Sequence, residues 1–173
     1  MKRSRVSDKR TPKTEPKSKN PRNKQGNART AVDPRRLLIP IDFSAGSLRA
    51  LDFADSLARR FNAAITLVHV IDPLHAPGRF DATRLRSLRA EALEDAKAKM
   101  VELAALHSAP PKPMKYHVID GIIHDAIVKF ASESKTDWIV MGSKGQTGVK
   151  RLLAGSVAEN VVRHARCPVL VVP

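Results

Sequence analysis

Cysteine occurs once in the 173 residues, at Cys167, which leaves no partner for an intrachain disulfide and no ligand set for a thiolate zinc cluster. A reducing, cytoplasmic setting is the expectation that follows. No run of about 18 apolar residues is present, which excludes a membrane-spanning helix. No apolar stretch of about 7–15 residues follows the first cations and no apolar face suits a transit peptide, so a targeting leader is not expected. The six histidines, His69, His75, His107, His117, His124 and His164, show no HExxH or comparable metal spacing and read as individual surface or packed residues. A GxSxG elbow for a nucleophilic serine is missing, and a lone cysteine next to Pro168 reads as core rather than nucleophile. Trp138, the one tryptophan, lies in an apolar run and also reads as core.

What is present is a length and a 42% apolar content suited to one soluble globular domain with a proper core. Charge is unevenly placed: residues 1–36 hold 13 Lys/Arg and 3 Asp/Glu, whereas residues 37–173 hold 18 and 14. The first segment has no aromatic residue and almost no apolar side chain, so it buries too little surface to offset its ordering entropy. Residues 1–34 are therefore read as a disordered basic tail and residues 35–173 as the domain. Clustered cations suit nucleic acid or another polyanion. The absence of aromatics for base stacking, and the equally good account of a basic tail as a solvating, self-repelling segment, leave that reading open.

From residue 35 onward, short apolar runs alternate with segments of helical period. "LLIPI" (37–41) precedes a helix placing Leu48, Leu51, Ala54, Leu57 and Phe61 on one face. "AITLVHVI" (64–71) is a second strand. After a loop with Pro73, Pro77 and Gly78, the longest helix sets Leu85, Leu88, Ala92, Ala96, Met100 and Leu103 inward, and Pro110-Pro111 stops it. "MKYHVI" (114–119) alternates like an edge strand, and Gly121 opens a helix with Ile123, Ala126, Ile127 and Phe130 inward. "DWIVMG" (137–142), the helix "SVAENVVRHAR" and the strand "VLVV" (169–172) complete the pattern. Strands apolar on both faces, alternating with helices, imply a doubly wound α/β domain with a parallel sheet covered on each side. Ligands of such sheets sit outside the carboxyl ends of the strands, which singles out Asp42, Val70, Asp72, Asp120 and Met141 onward.

The segment after strand four, "MGSKGQTGVKRLLAGS", spaces its glycines as Gly142-x2-Gly145-x9-Gly155-Ser156, which is neither the Walker pattern nor the dinucleotide GxGxxG. Gly142 and Gly145 allow positive φ and close approach of N–H groups to an anion. Gly155 and Ser156 begin a helix whose free N–H groups and dipole favour phosphate, with Lys144, Lys150 and Arg151 adding positive potential. An ordinary strand-to-helix loop whose glycines only make turns explains the spacing equally well. Asp42, in "PIDFS", has two readings as well: a carboxylate accepting from a ribose or base or holding Mg2+, or an N-terminal cap shared with Ser44.

These motifs resemble the universal stress protein (UspA-like) family, in its nucleotide-binding branch. The resemblance rests on "LLIPIDFS", "ITLVHVIDP", "DG" before the third helix, and "MGSKGQTGVKRLLAGSVAENVVRHARCPVLVV". It spans residues 35–173. It implies a five-stranded parallel sheet of order 3-2-1-4-5 (adenine nucleotide alpha hydrolase-like) and an adenine-nucleotide pocket for ATP, with Mg2+ as the accompanying ion. In that pocket Asp42 would hydrogen-bond the nucleotide, Val70 would hold adenine through its backbone, and Pro40 would be a further binding residue. Gly142, Gly145, Gly155 and Ser156 would cradle ribose and phosphates, lined by Met141 and Val157. Ala158 departs from the pattern, having no hydroxyl where some nucleotide binders have one near the phosphates. The resemblance also implies a homodimer formed through the last strand, and the apolar "VLVV" fits an edge that invites pairing.

The function expected from this is that of an ATP-binding regulator of the stress response. An ATP-using enzyme of low turnover is the rival, disfavoured because "DFSAGS" is not an SGGxDS-type loop, no HxGH signature occurs, and no general base is identifiable. Polyanion binding through the tail is the third reading.

Overall fold

In a computed structural model of the chain, the structure describes residues 33–72, 81–107, 112–144 and 155–173. The alternating pattern resolves into β1 (Arg36–Pro40), α1 (Ala45–Phe61), β2 (Ala64–Ile71), α2 (Ala82–Leu106), β3 (Lys115–Asp120), α3 (Ile123–Glu133), β4 (Trp138–Gly142), α4 (Ser156–His164) and β5 (Val169–Val172). All pairings are parallel and the order is β3-β2-β1-β4-β5. This is the doubly wound α/β sheet that the sequence implies, and the order that the family resemblance implies. β1 lies between β2 and β4, so the connections reverse direction there and open a crevice at the strands' carboxyl ends.

Because successive strand residues point to opposite faces, the central strands feed two cores. Leu37, Ile39, Ile65, Leu67 and Val140 join Ala50, Leu51 and Ala54 of α1 and Met100 of α2 on one face. Leu38, Val68, Ile139 and Met141 meet Ile127 of α3 and Ala158 and Val161 of α4 on the other. Each fully buried Leu, Ile or Val contributes about 1.5–3 kcal/mol by leaving water. β3, the expected edge strand, is more polar: Lys115, Tyr116 and His117 are exposed. Trp138 is half-buried and meets Phe61 edge-on, ring centroids 6.1 Å apart.

Three expectations are corrected. The inward face of α1 is made of small residues, Ser47, Ala50, Ala54 and Ala58 with Leu51, and Leu48 is 36% exposed. α1 lies across the middle of the sheet, touching β1, β2, β4 and β5, and short side chains let it approach closely. In α2 only Ala96, Met100 and Leu103 of the expected stripe are buried, while Leu85 and Ala92 are exposed. A helix of 25 residues runs about 37 Å and cannot be covered by the 8-residue β2 of about 26 Å, so its first turns pass beyond the sheet. α4 stops at His164, two residues before the expected end, with Ala165 already extended. The expected helix stop at Pro110-Pro111 and the loop with Pro73, Pro77 and Gly78 lie outside the described residues.

The strand starts are tied together by one carboxylate. Asp137 Oδ2 accepts from the N–H of Arg35 at 2.9 Å and of Arg36 at 2.8 Å, and Oδ1 lies 3.3 Å from the Arg36 guanidinium. Burial alone would raise the Asp137 carboxyl, but these hydrogen bonds and the Arg36 charge outweigh it and hold the group below the usual carboxylate range. Such a group stabilises the fold above its unfolded value, and that contribution is lost as pH falls through the folded value. Asp137→Asn is therefore expected to lower unfolding free energy by about 1.5–3 kcal/mol at neutral pH. Urea unfolding of both proteins as a function of pH checks this: the difference should be constant above about pH 4, the unfolded value, shrink only as pH falls below it, and close beneath the depressed folded value.

Candidate functional site

A cleft of 140 Å3 opens at the carboxyl ends of the strands, on the α3 and α4 side of the switch between β1 and β4. That is the scale of a small-molecule group, not of a groove for a macromolecule. Val68, Val70, Ile123, Ile127 and Met141 make its walls largely apolar, and Asp42, Ser143, Lys144 and Ser156 supply polar groups.

Helix α4 presents its start to this space. Its first residue, Ser156, and the following Val157 and Ala158 all line the cleft. The first N–H groups of an α-helix have no partner within the helix, and here the intrahelical ladder begins with Glu159 N–H on the Gly155 carbonyl. Gly155 occupies the cap position without a side-chain cap, and its own N–H is committed to the Ser143 carbonyl at 2.7 Å. The donors directed to the cleft are thus those of Ser156, Val157 and Ala158, at the positive end of the helix dipole.

Val70 offers a second set of main-chain groups. Alternate residues of a parallel strand address opposite neighbours. On β2, the Ile71 carbonyl accepts from Gly121 on the β3 side and the Val68 carbonyl accepts from Ile41 on the β1 side. Val70, two residues beyond Val68, therefore turns its N–H and C=O toward the β1 side, where β1 has already ended at Pro40. The Ile41 carbonyl, the nearest continuation of β1, is taken by His69 Nδ1–H at 2.7 Å.

Asp42 sits where both sequence readings put it. Its Oδ1 accepts from Ser44 N–H at 3.0 Å and Ser44 Oγ–H at 2.6 Å, while Ser44 Oγ accepts from Ser47 N–H at 3.2 Å as the cap of α1. The carboxylate orients the cap and lines the cleft as well. The turn between them holds Phe43 at φ 61, a strained value for a bulky residue. Ring contacts hold it there: His69 lies 4.9 Å away and Lys99 Nζ 5.7 Å from the ring centre.

A family model for the universal stress protein family matches residues 34–173. The chain belongs to the universal stress protein family. A universal stress protein of Methanocaldococcus jannaschii is 36% identical over 145 residues, covering 80% of this chain and 81% of the relative. The solved universal stress protein UspA of Lactobacillus plantarum has a TM-score of 0.72 at 26% identity, over 81% of this chain and 98% of that chain. Another universal stress protein, solved in complex with cAMP, is 29% identical with a TM-score of 0.53, over 81% of this chain and 97% of that one.

In this universal stress protein the cleft gathers Pro40, Asp42, Val70, Met141, Gly142, Gly155, Ser156 and Val157 from the residues expected to bind a ligand. Gly145, with Lys150 and Arg151, lies outside the described residues. Asp72 and Asp120 are not among the lining residues, and Asp120 is engaged by Arg89 at 2.7 Å. His69, Ser47, Ile123 and Ile127 line the cleft without having been singled out for it. The isoleucines read as core because they continue the inward stripe of α3, whose upper end faces the cleft. Cys167 is half-buried against the second core; burial first, and then the Asp137 charge, raise its thiol, so it is neutral at physiological pH.

The glycines do different work from that expected in this universal stress protein. Among the described glycines positive φ occurs at Gly121, not at Gly142. A Cβ on Gly142 would stand 2.6 Å from Gly46 C and 2.7 Å from its O, and one on Gly46 would collide with the Lys144 carbonyl. Gly142 and Gly46 are thus an interlock between the end of β4 and the start of α1. A Cβ on Gly155 would meet only the Ser143 carbonyl at an ordinary 3.5 Å. Gly142→Ala is expected to cost about 1–3 kcal/mol, since backbone must shift, whereas Gly155→Ala leaves stability within about 0.5 kcal/mol. Thermal unfolding of both variants without ligand checks the contrast.

Proposed function

We propose that this universal stress protein is an adenine-nucleotide-binding regulator of the stress response, with ATP as its ligand. The observation that carries the reading is the convergence of two unspent sets of main-chain groups on one apolar cleft. Val70 turns its N–H and C=O to one side and α4 its first N–H groups to the other. The first set suits the edge of an adenine, which needs one donor and one acceptor; the second suits phosphate. Asp42 lies between them as an acceptor for ribose hydroxyls. The relative solved with cAMP supports an adenine nucleotide as the class of ligand.

In this reading Met141 and Val157 line the site and Gly155 keeps the space beside the phosphates clear. Ala158 contributes its N–H but no hydroxyl. Asp42 is the one carboxylate among the described lining residues, and with it on the ribose, Mg2+ would be held by the phosphates themselves. The same carboxylate already orients Ser44, which favours a binding site over a hydrolytic one. We further propose that the protein works in the cytoplasm and that β5 pairs two copies. Val169, Leu170 and Val172 are half-buried and Val171 is 36% exposed at an otherwise open sheet edge. Sedimentation at the mass of one chain would contradict that pairing.

Calorimetric titration with ATP is expected to give saturable 1:1 binding. Gly155→Val should weaken it at least about tenfold, equivalent to about 1.4 kcal/mol, because the branched side chain fills the phosphate side of the cleft. No saturation up to millimolar ATP overturns the reading.

A further inference from the structure

At the end of β1 the ladder to β2 has one substituted rung. In a parallel pair, a residue donates its N–H to one partner residue and accepts at its C=O from the partner residue two positions further on. β1 and β2 follow this pattern, with Ile39 opposite Leu67 and Pro40 opposite Val68, and Ile41 N–H donates to the Val68 carbonyl at 2.8 Å. The next rung of the same ladder would run from Val70 N–H to the Ile41 carbonyl. Among the described residues no such bond forms, and the Ile41 carbonyl pairs instead with His69 Nδ1 at 2.7 Å. A carbonyl only accepts, so Nδ1 is the ring nitrogen that carries the hydrogen.

Two features hold the ring to this bond. Side chains alternate along β2, with Leu67 in the core beneath α1 and α2 and Val68 in the core beneath α3 and α4. The His69 ring therefore stands on the side of α1 and α2, whereas the cleft opens on the side of α3 and α4. There the Phe43 ring lies 4.9 Å from it, tilted by 40°, and Lys99 of α2 stands 5.7 Å from the Phe43 ring centre. Phe43 itself, at φ 61, has left the extended conformation, so β1 cannot run on beside β2 past Asp42. The acceptor of the displaced rung is satisfied, and its main-chain donor, Val70 N–H, is left over.

We propose that His69 is a positioning residue of the nucleotide site: its imidazole takes the place of Val70 N–H in the β1–β2 ladder and so keeps that N–H open to the base of the ligand. The substitution stands on ladder geometry alone, and its consequence for a base rests on the adenine-nucleotide reading of the cleft. The ring acts through the main chain and needs no contact with the nucleotide. Without the ring donor, the Ile41 carbonyl loses its partner, and Val70 N–H is the donor that the ladder itself supplies. Closing that rung adds a hydrogen bond to the sheet and takes one from the base. Asparagine carries an amide N–H in place of the imidazole Nδ1–H, whereas phenylalanine keeps a ring against Phe43 and has no donor.

The test is amide hydrogen exchange by NMR without ligand, followed by ATP titration, on the full-length wild type, His69→Phe and His69→Asn. In the wild type, Val70 N–H is expected to exchange at least about tenfold faster than Val68 N–H, which lies within the paired strands. His69→Phe should slow the Val70 amide at least about tenfold and weaken ATP binding at least about tenfold. His69→Asn should stay within about threefold of the wild type in both. Loss of a purely packing residue speeds exchange and does not slow one amide. The neutral wild-type ring should also carry its proton on Nδ1, read from its nitrogen shifts, a measurement that stands even where His69→Phe does not fold. The proposal is overturned if that proton sits on Nε2, if His69→Phe leaves Val70 exchange unchanged or faster, if it binds ATP as the wild type does, or if His69→Asn matches His69→Phe. Should the Val70 amide respond as expected while none of the three proteins binds ATP, the role of His69 in the ladder is upheld and the nucleotide reading falls.

Discussion

The upper end of this domain depends on one contact between two backbones without side chains. Gly46, in the first turn of α1, lies so close to the end of β4 that a methyl group on Gly142 would strike Gly46 main chain and one on Gly46 would strike the Lys144 carbonyl. That contact sets where Ser143 leaves the sheet. Ser143 then holds two other elements: its N–H donates to the Val172 carbonyl at the end of β5, and its carbonyl accepts from Gly155 at the start of α4, each at 2.7 Å. The position of the α4 donors therefore follows from how near α1 comes to β4. The alanines of α1 serve the same end, because a helix with leucines at those positions would ride higher on the sheet.

Much of this is legible in the amino-acid sequence. The period-2 and period-3.6 apolar patterns locate the nine elements among the described residues to within two residues at most ends, because burial on both faces leaves a continuous apolar strand and a striped helix. β2 and β5 coincide with "AITLVHVI" and "VLVV". The stripes failed where tertiary geometry overrode them: Leu48 is displaced by a small-residue contact, and Leu85 stands on turns that have no sheet beneath them. At the site, the described residues of the family motif line one cleft, but their physical roles are less legible in the sequence. Gly142 reads as part of an anion loop or of an ordinary turn, and is an interlock. Gly46 drew no notice, since a glycine's necessity depends on what faces it across 96 residues of chain. The main-chain availability of Val70 arises from where β1 stops and from a His69 ring on the Ile41 carbonyl, neither of which side-chain identity reveals.

The two ends of the sheet divide the chemistry of the molecule. At the carboxyl ends, apolar walls and unspent N–H groups suit a compact ligand with one anionic end. At the amino ends, Asp33, Asp137 and Asp55 are paired with Arg35, Arg36 and Arg59, and Lys115, Lys135 and Arg166 are exposed. Asp137 joins the halves mechanically, because it holds β1 beside β4, and the separation of those two strands at their far end is the mouth of the cleft.

The central claim is that main-chain groups of Val70 and of the first turn of α4 hold an adenine nucleotide. The most direct measurement is an amide-resolved NMR titration of the full-length protein with ATP. Saturating shifts of the Val70, Ser156, Val157 and Ala158 amides that share one dissociation constant, with Lys115 and Lys135 amides unmoved, are the predicted result. An ATP titration that shifts other amides while leaving Val70 and the α4 start in place would contradict it.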